Sequence, residues 1–307
     1  MRTNRHLFRQ TALYLIFIFS LCTSFYGCGG SENEPDYPTN KNINANVEDS
    51  NHPGAGSIEI PKLINANPYT YITHSAAKNQ TATDKVSNYT MEYHTTKCHS
   101  RWVAFKFYNT TGAANVGRTD PEPWDNDPQL PVFCQTQKED YSPYQRGHLC
   151  ASADRVYSRE ANVQTFYYSN MSPQIGHFNT NTWEYLEEFV RNLGRSNSFR
   201  DTLYVCKGGT IENNQILGKT SKGSHQVVIP QYYFMALLCK KGNEYKSIGF
   251  FLEHKGSWPD KPYDRKQFAM SIDKLEEKTG IDFFCNLPDD IENTVERSYN
   301  TSDWTGL

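Results

Sequence analysis

The sequence predicts an α+β fold: one domain built on a mixed or antiparallel central sheet with flanking helices. Three observations carry this. Apolar runs of strand length are numerous, only two segments show a clear 3.6-residue period, and no internal repeat is present.

The strand runs come in order along the chain. Tyr89–His94 alternates, and Trp102–Tyr108 is rich in aromatic and branched residues. Leu203–Cys206 is a short apolar run ahead of Gly208-Gly209. Val227–Pro230 leads into Tyr232–Leu238, and Ser247–Leu252 follows after a polar turn. Runs this apolar fit a sheet covered on both faces. From Thr182 to Leu193, Trp183, Leu186, Val190 and Leu193 share one stripe, with Glu184, Glu187, Glu188 and Arg191 largely off it. Asp264 to Thr279 repeats the pattern through Phe268, Ile272 and Leu275, and Gly280 sits where a C′ glycine belongs.

Composition supports a packed core. Of the 307 residues, 37% are hydrophobic and 14% aromatic, which excludes disordered, collagen-like and multi-span membrane classes. Charge gives less. The chain holds 31 Lys+Arg and 34 Asp+Glu; three bases precede residue 29, and one base with six acids lies in 29–59. Residues 60–307 therefore carry 27 bases against 28 acids. A near-neutral body offers no global attraction for a polyanion, so any such site must be a local cleft.

The N-terminus divides the chain into three: residues 1–28, 29–60 and 61–307. Arg2, Arg5 and Arg9 precede an apolar run from Ala12 to Tyr26, which ends at Gly27-Cys28. A basic start, a run too short to span a bilayer and a small residue before the cut describe a secretory signal. The cysteine directly after Gly27 resembles a bacterial lipobox, with Phe25 departing from the usual leucine. That reading makes Cys28 the lipid-bearing first residue of a protein anchored to the outer membrane or cell surface; the other is a plain signal peptide with an incidental cysteine. Residues 29 to about 60 are polar and read as a flexible tether. Six further cysteines (98, 134, 150, 206, 239 and 285) lie in the body. Their even number is compatible with disulfides in an oxidising compartment, and equally with buried thiols. They form no CxxC pair, which argues against a zinc knuckle.

Two segments concentrate unusual polar residues: Tyr144-Gln145-Arg146-Gly147-His148-Leu149-Cys150-Ala151-Ser152-Ala153-Asp154-Arg155, and Asn170-Met171-Ser172-Pro173-Gln174 continuing to Phe178-Asn179 and Trp183 through Glu187. Phosphodiester hydrolysis needs a base for water, a cation for the leaving oxygen and donors for the extra charge. His148 suits the base, since imidazole titrates near neutrality. Arg146 can present a planar fork to phosphate. Asn179 offers a hard oxygen suited to Mg²⁺. Glu187 and Arg191, four apart on a helix, can pair and project together.

The motifs Arg-Gly-His, Asn-Met-Ser-Pro-Gln and Phe-Asn-x-x-x-Trp-x-x-Leu-Glu resemble those of the DNA/RNA non-specific endonucleases, which include secreted bacterial nucleases and mitochondrial endonuclease G. Arg101–Phe105 and Gly280–Phe284 look similar too, so the likeness runs from about Tyr69 to about Glu296. It implies a ββα-metal (His-Me finger) site cutting DNA and RNA with little sequence preference to 5′-phosphate ends, usually with Mg²⁺, Mn²⁺ or another divalent cation. By position, the family's general base falls on His148, its single protein metal ligand on Asn179, and the glutamate holding metal-bound water on Glu187. Phosphate-contacting arginines fall on Arg146 and, with less support, on Arg118 and Arg191. Alone, Arg118 in its turn-like stretch reads as a solvated surface residue. One departure is Gln145, where the family usually has aspartate; glutamine keeps an acceptor and loses a charge. Two rivals remain: a catalytically impaired surface lipoprotein that binds nucleic acid, and a phosphodiesterase for small phosphate esters. The first expects loss of the base or the ligand, and both are present.

Overall fold

The computed structural model describes residues 42–307. The expected signal peptide, Cys28 and the first part of the tether lie outside the described residues. Strands β1 (Tyr69–Ala77), β2 (Lys85–His94) and β3 (His99–Phe107) come first along the chain. A short hairpin pair follows, β4 (Gln145–His148) and β5 (Met171–Gln174), with the small helix α1 (Arg159–Gln164) between them. Helix α2 (Glu184–Arg195) comes next, then β6 (Thr202–Gly209), β7 (Ile216–Lys219) and β8 (Val228–Pro230). The chain ends through β9 (Tyr232–Lys241), β10 (Glu244–Glu253), β11 (Ala269–Met270), α3 (Ile272–Thr279) and α4 (Asp289–Glu296).

Seven strands form one sheet in the order β1-β2-β3-β6-β9-β10-β11, and every pairing in it is antiparallel. The two-residue strand period sorts its side chains cleanly. Val103, Phe105, Phe107, Val205, Met235 and Leu237 pack under α2 through Leu186, Phe189, Val190 and Leu193. Trp102, Ala104, Cys206, Phe234 and Ala236 face the other way, against Ile272 and Leu275 of α3 and Phe283. Both faces are therefore covered, which is why the strands read as continuous apolar runs.

The helix expected over Asp264–Thr279 is shorter. Residues 265–268 make one 3₁₀ turn, and Ala269 and Met270 pair with Phe250 and Gly249 as β11. The Ser271 side chain then caps α3 by accepting from the Lys274 backbone N–H, and Gly280 closes it at φ 65°. The edge of β10 takes up residues that a helical period alone would have kept.

The tether is also shorter than expected, because residues 42–60 are docked. Asn42 Nδ2 donates to Leu287 O (2.6 Å), Ile43 N–H to Asp289 Oδ1 (3.0 Å) and Asn46 N–H to Asn286 Oδ1 (2.9 Å). Ile60 joins the core on the α3 face, and buried Glu59 pairs with Lys106 at 3.1 Å. The segment's polarity serves hydrogen bonds to the domain rather than solvation. The six body cysteines are all free and buried, so here they are apolar filling and not cross-links.

Helix α2 lies so close to β3 that a Cβ on Gly194 would sit 2.4 Å from Phe107 Cδ2. Phe107 is fully buried and has nowhere to go. Gly194→Ala gains about 1 kcal/mol of helix propensity, whereas overpacking a closed core costs typically about 1–3 kcal/mol. The clash should win, and the variant should melt at lower denaturant than wild type in equilibrium unfolding. Equal or higher stability would show that α2 can lift off the sheet freely.

Candidate active site

The hairpin β4–β5 and the helix after it make a ββα unit. Gly147 is required by the hairpin itself: a Cβ there would meet the Gln174 side chain at 1.9 Å. That close approach sets Arg146 and His148 on the rim of a cleft of about 780 Å³. After β5, Phe178–Trp183 winds as a π-helical turn, in which the Glu184 N–H donates to Asn179 O five residues back. Such a wide turn offsets the residues at its start from the helix that follows. The cleft is lined by Arg118, Arg146, His148, Asn179, Glu187 and Arg191 together. All six sequence-derived candidates thus converge on one concavity.

His148 sits at the inner end of β4, its ring 5.5 Å from Trp124 and 5.3 Å from Phe166 between centroids. Burial, then the Arg118 and Arg146 charges, depress its pKa to about 3, so the imidazole is neutral across the physiological range. Its Nε2 is buried and has no hydrogen-bond partner within the protein. A neutral imidazole lining the cleft is ready to accept a proton.

Asn179 donates through Nδ2 to Gln145 Oε1 at 2.8 Å. The contact commits the amide nitrogen and leaves the Oδ1 carbonyl for a cation. Glu187 is buried at the same cleft, 3.4 Å from Lys207 Nζ. Burial pushes its carboxyl up to about 7, with Lys207 pulling the other way. An uncharged oxygen beside a buried carboxylate suits a hard divalent ion that keeps most of its waters, so the residues present fit such a metal.

The arginines divide by partner. Arg146 stacks its guanidinium 3.9 Å from the Trp124 ring centroid. Arg118 lies 4.8 Å from the Phe166 ring and is clamped by Glu122 at 2.6 Å, while Glu122 also accepts from Trp124 Nε1. Arg191 does not pair with Glu187 as their helical spacing suggests. It pairs with Asp154 at 3.0 Å, and Lys207 bridges Asp154 (3.1 Å) and Glu187. The buried Asp154–Lys207 pair intercepts both ends of the expected helix pair. For Lys207 burial opposes charge, and Asp154 and Glu187 overcome it. Sequence reading missed Asp154, Lys207, Trp124 and Glu122 as parts of the site. The available signal was a lysine closing the apolar run Leu203–Cys206 and an aspartate six residues past His148.

A ββα unit carrying a histidine on its hairpin and an asparagine at its helix start has the architecture of a ββα-metal nuclease. The chain belongs to the DNA/RNA non-specific endonuclease family, whose model matches residues 67–290. It is 30% identical over 217 residues to a nuclease of Nostoc sp., covering 68% of this chain and 76% of that protein. With human mitochondrial endonuclease G it shares 28% identity over 173 residues, 52% of this chain and 56% of that protein. The chain therefore spans about three quarters of the first relative and little over half of the second. The fold also matches EndoG in the EndoG/EndoGI complex, with a TM-score of 0.55 at 22% identity, covering 69% of this chain and 87% of that one.

The Gln145–Asn179 contact makes a specific prediction. Gln145→Ala releases the Asn179 amide, and losing such an orienting partner typically costs about 10–100-fold in metal affinity. The Mg²⁺ concentration for half-maximal cleavage should rise by a factor in that range, with maximal rate largely retained. An unchanged Mg²⁺ dependence would mean that Gln145 does not position Asn179.

Proposed function

We propose that this cleft hydrolyses phosphodiester bonds of both DNA and RNA, leaving 5′-phosphate ends, with Mg²⁺ as the working metal. The observation that carries this reading is the neutral imidazole of His148 lining a cleft that also holds Asn179 and three arginines. Arg146 and Arg118, held flat by Trp124 and Phe166, draw in a backbone phosphate. The His148 imidazole takes a proton from a water molecule as the water oxygen bonds to phosphorus. The bond from phosphorus to the 3′ oxygen breaks, and that oxygen leaves to collect a proton from solvent. Asn179 would hold the cation through Oδ1, with Glu187 ordering its water; when bound, the metal supplies stabilisation for the charge on the phosphate and the leaving oxygen. Arg191, engaged by Asp154, acts at most at the edge of the phosphate site.

Burial is the main cause of the low His148 pKa, and substrate relieves the smaller part that comes from charge. Two of the groups that depress it, Arg118 and Arg146, are those that meet the phosphate. Bound polyanion offsets their charge and raises the basicity of His148 once substrate is in place.

His148→Ala should lose about 10²–10⁴-fold in initial rate on plasmid DNA and on RNA, the usual contribution of a positioned base. Asn179→Ala should lose as much, yet recover in part at high Mg²⁺, where mass action refills a weakened site. His148→Ala should not recover with Mg²⁺, and EDTA should silence the wild type. Near-normal cleavage by a folded His148→Ala would overturn the assignment.

We also propose that Cys28 carries lipid and anchors the domain to the bacterial outer membrane or cell surface, supported by the apolar run ending at Gly27-Cys28. Mass spectrometry of the mature N-terminus should find an acylated Cys28. An unmodified terminus elsewhere would refute the anchor and leave the nuclease reading untouched.

A further inference from the structure

On the sheet face covered by α3, away from the cleft, lies a second polar pocket of about 370 Å³. Six acids line it: Asp273 and Glu276 of α3, Asp282, and Asp289, Glu292 and Glu296 of α4. Among the described residues no lysine, arginine or histidine lines it. One carboxylate oxygen each from Asp273, Glu276 and Glu296 lies within 4.8 Å of the others. Three oxygens this close can converge on one hard cation, and the longer bonds of Ca²⁺, about 2.3–2.6 Å against about 2.1 Å for Mg²⁺, ask for less closure of the carboxylates.

Crowded acids alone would say little, but two buried acceptors here lack partners. Glu296 is only 6% exposed, and its Oε1 makes no hydrogen bond. Asn44 lines the same pocket, its Nδ2 donating to Asp282 (3.2 Å) and Glu292 (2.9 Å) while its buried Oδ1 has no partner. Buried oxygens are rarely left without a donor or a cation. Burial first, and neighbouring carboxylates after it, raise Glu276 to about 8 and Glu296 to about 10. Protons that a cation would displace therefore sit on both groups at neutral pH.

We propose that this pocket is a structural calcium site, with Asp273, Glu276 and Glu296 giving carboxylate oxygens to one Ca²⁺ that ties α3 to α4. Binding releases the carboxyl protons to solvent, and the ion replaces their charge. The site is separate from the nuclease cleft and uses none of its residues.

The test is calcium binding to the full mature chain carrying Asn179→Ala, so that the cleft does not contribute. Equilibrium dialysis with CaCl₂ should give one bound equivalent, and Ca²⁺ should raise the melting temperature. Adding Glu296→Gln should weaken binding at least tenfold and abolish the thermal shift. Asp273→Asn, at an exposed position that cannot disturb packing, should weaken binding in the same direction, while leaving Mg²⁺-dependent cleavage of the otherwise wild-type chain unchanged. Absence of a bound equivalent in Asn179→Ala, or a thermal shift that survives both substitutions, would overturn the site.

Discussion

The buried charge of Lys207 is the constraint on which the active site rests. It projects from β6 into the layer between sheet and α2, where it is fully buried. An ammonium in that position is tolerable only if carboxylates meet it. Asp154 arrives from the turn after His148, and Glu187 from the first turn of α2. One cation thus joins three pieces: the sheet, the segment that follows His148, and the helix that follows Asn179. Arg191 completes the cluster from the same helix through Asp154. Replacing the lysine by an apolar residue would leave Glu187 buried without its cation and Asp154 held by Arg191, so the link between Asp154 and Glu187 would be lost.

That cluster also decides which cleft groups are charged. Burial works against charge on Asp154, but Lys207, Arg191 and Arg155 overcome it, whereas Glu187 has weaker support and is pushed up to about 7. Two carboxyls sharing one lysine therefore separate in acidity. The one near neutrality is the one at the cleft, where an approaching divalent ion would favour its ionised form. His148 lies at the other extreme, kept neutral by burial and by the arginines above it. The polarity of the cleft is thus arranged before any ligand arrives: positive at Arg118 and Arg146, uncharged at His148 and titratable at Glu187.

Much of this was legible in the residues, and the misses share a cause. Apolar runs showed the large strands because the sheet is covered on both faces, and a 3.6-residue stripe showed α2. The hairpin β4–β5 did not stand out, since its eight residues are chosen for chemistry and close approach, as Gly147 against Gln174 shows. Asp154 and Lys207 were invisible as partners because their meeting depends on tertiary packing across 53 residues of chain. Local spacing instead suggested a Glu187–Arg191 pair, a reasonable inference for an exposed helix and a wrong one for a helix whose polar edge is buried. The docked segment 42–60 was misread for the opposite reason. Its asparagines look like solvated linker, but their amides satisfy backbone and carboxylate groups of the domain.

Gln145 shows how a departure from the family pattern can keep one physical role and drop another. A carboxylate at this position would do two things: accept from the Asn179 amide and add negative charge beside a cation. The glutamine carbonyl keeps the first, at 2.8 Å, so Asn179 Oδ1 is still oriented. The second is lost, and Glu187 is left to supply the anionic charge nearest Asn179 among the candidate residues. Burial raises the Glu187 carboxyl and Lys207 opposes it, so the negative charge beside Asn179 depends more heavily on how fully that one carboxyl ionises.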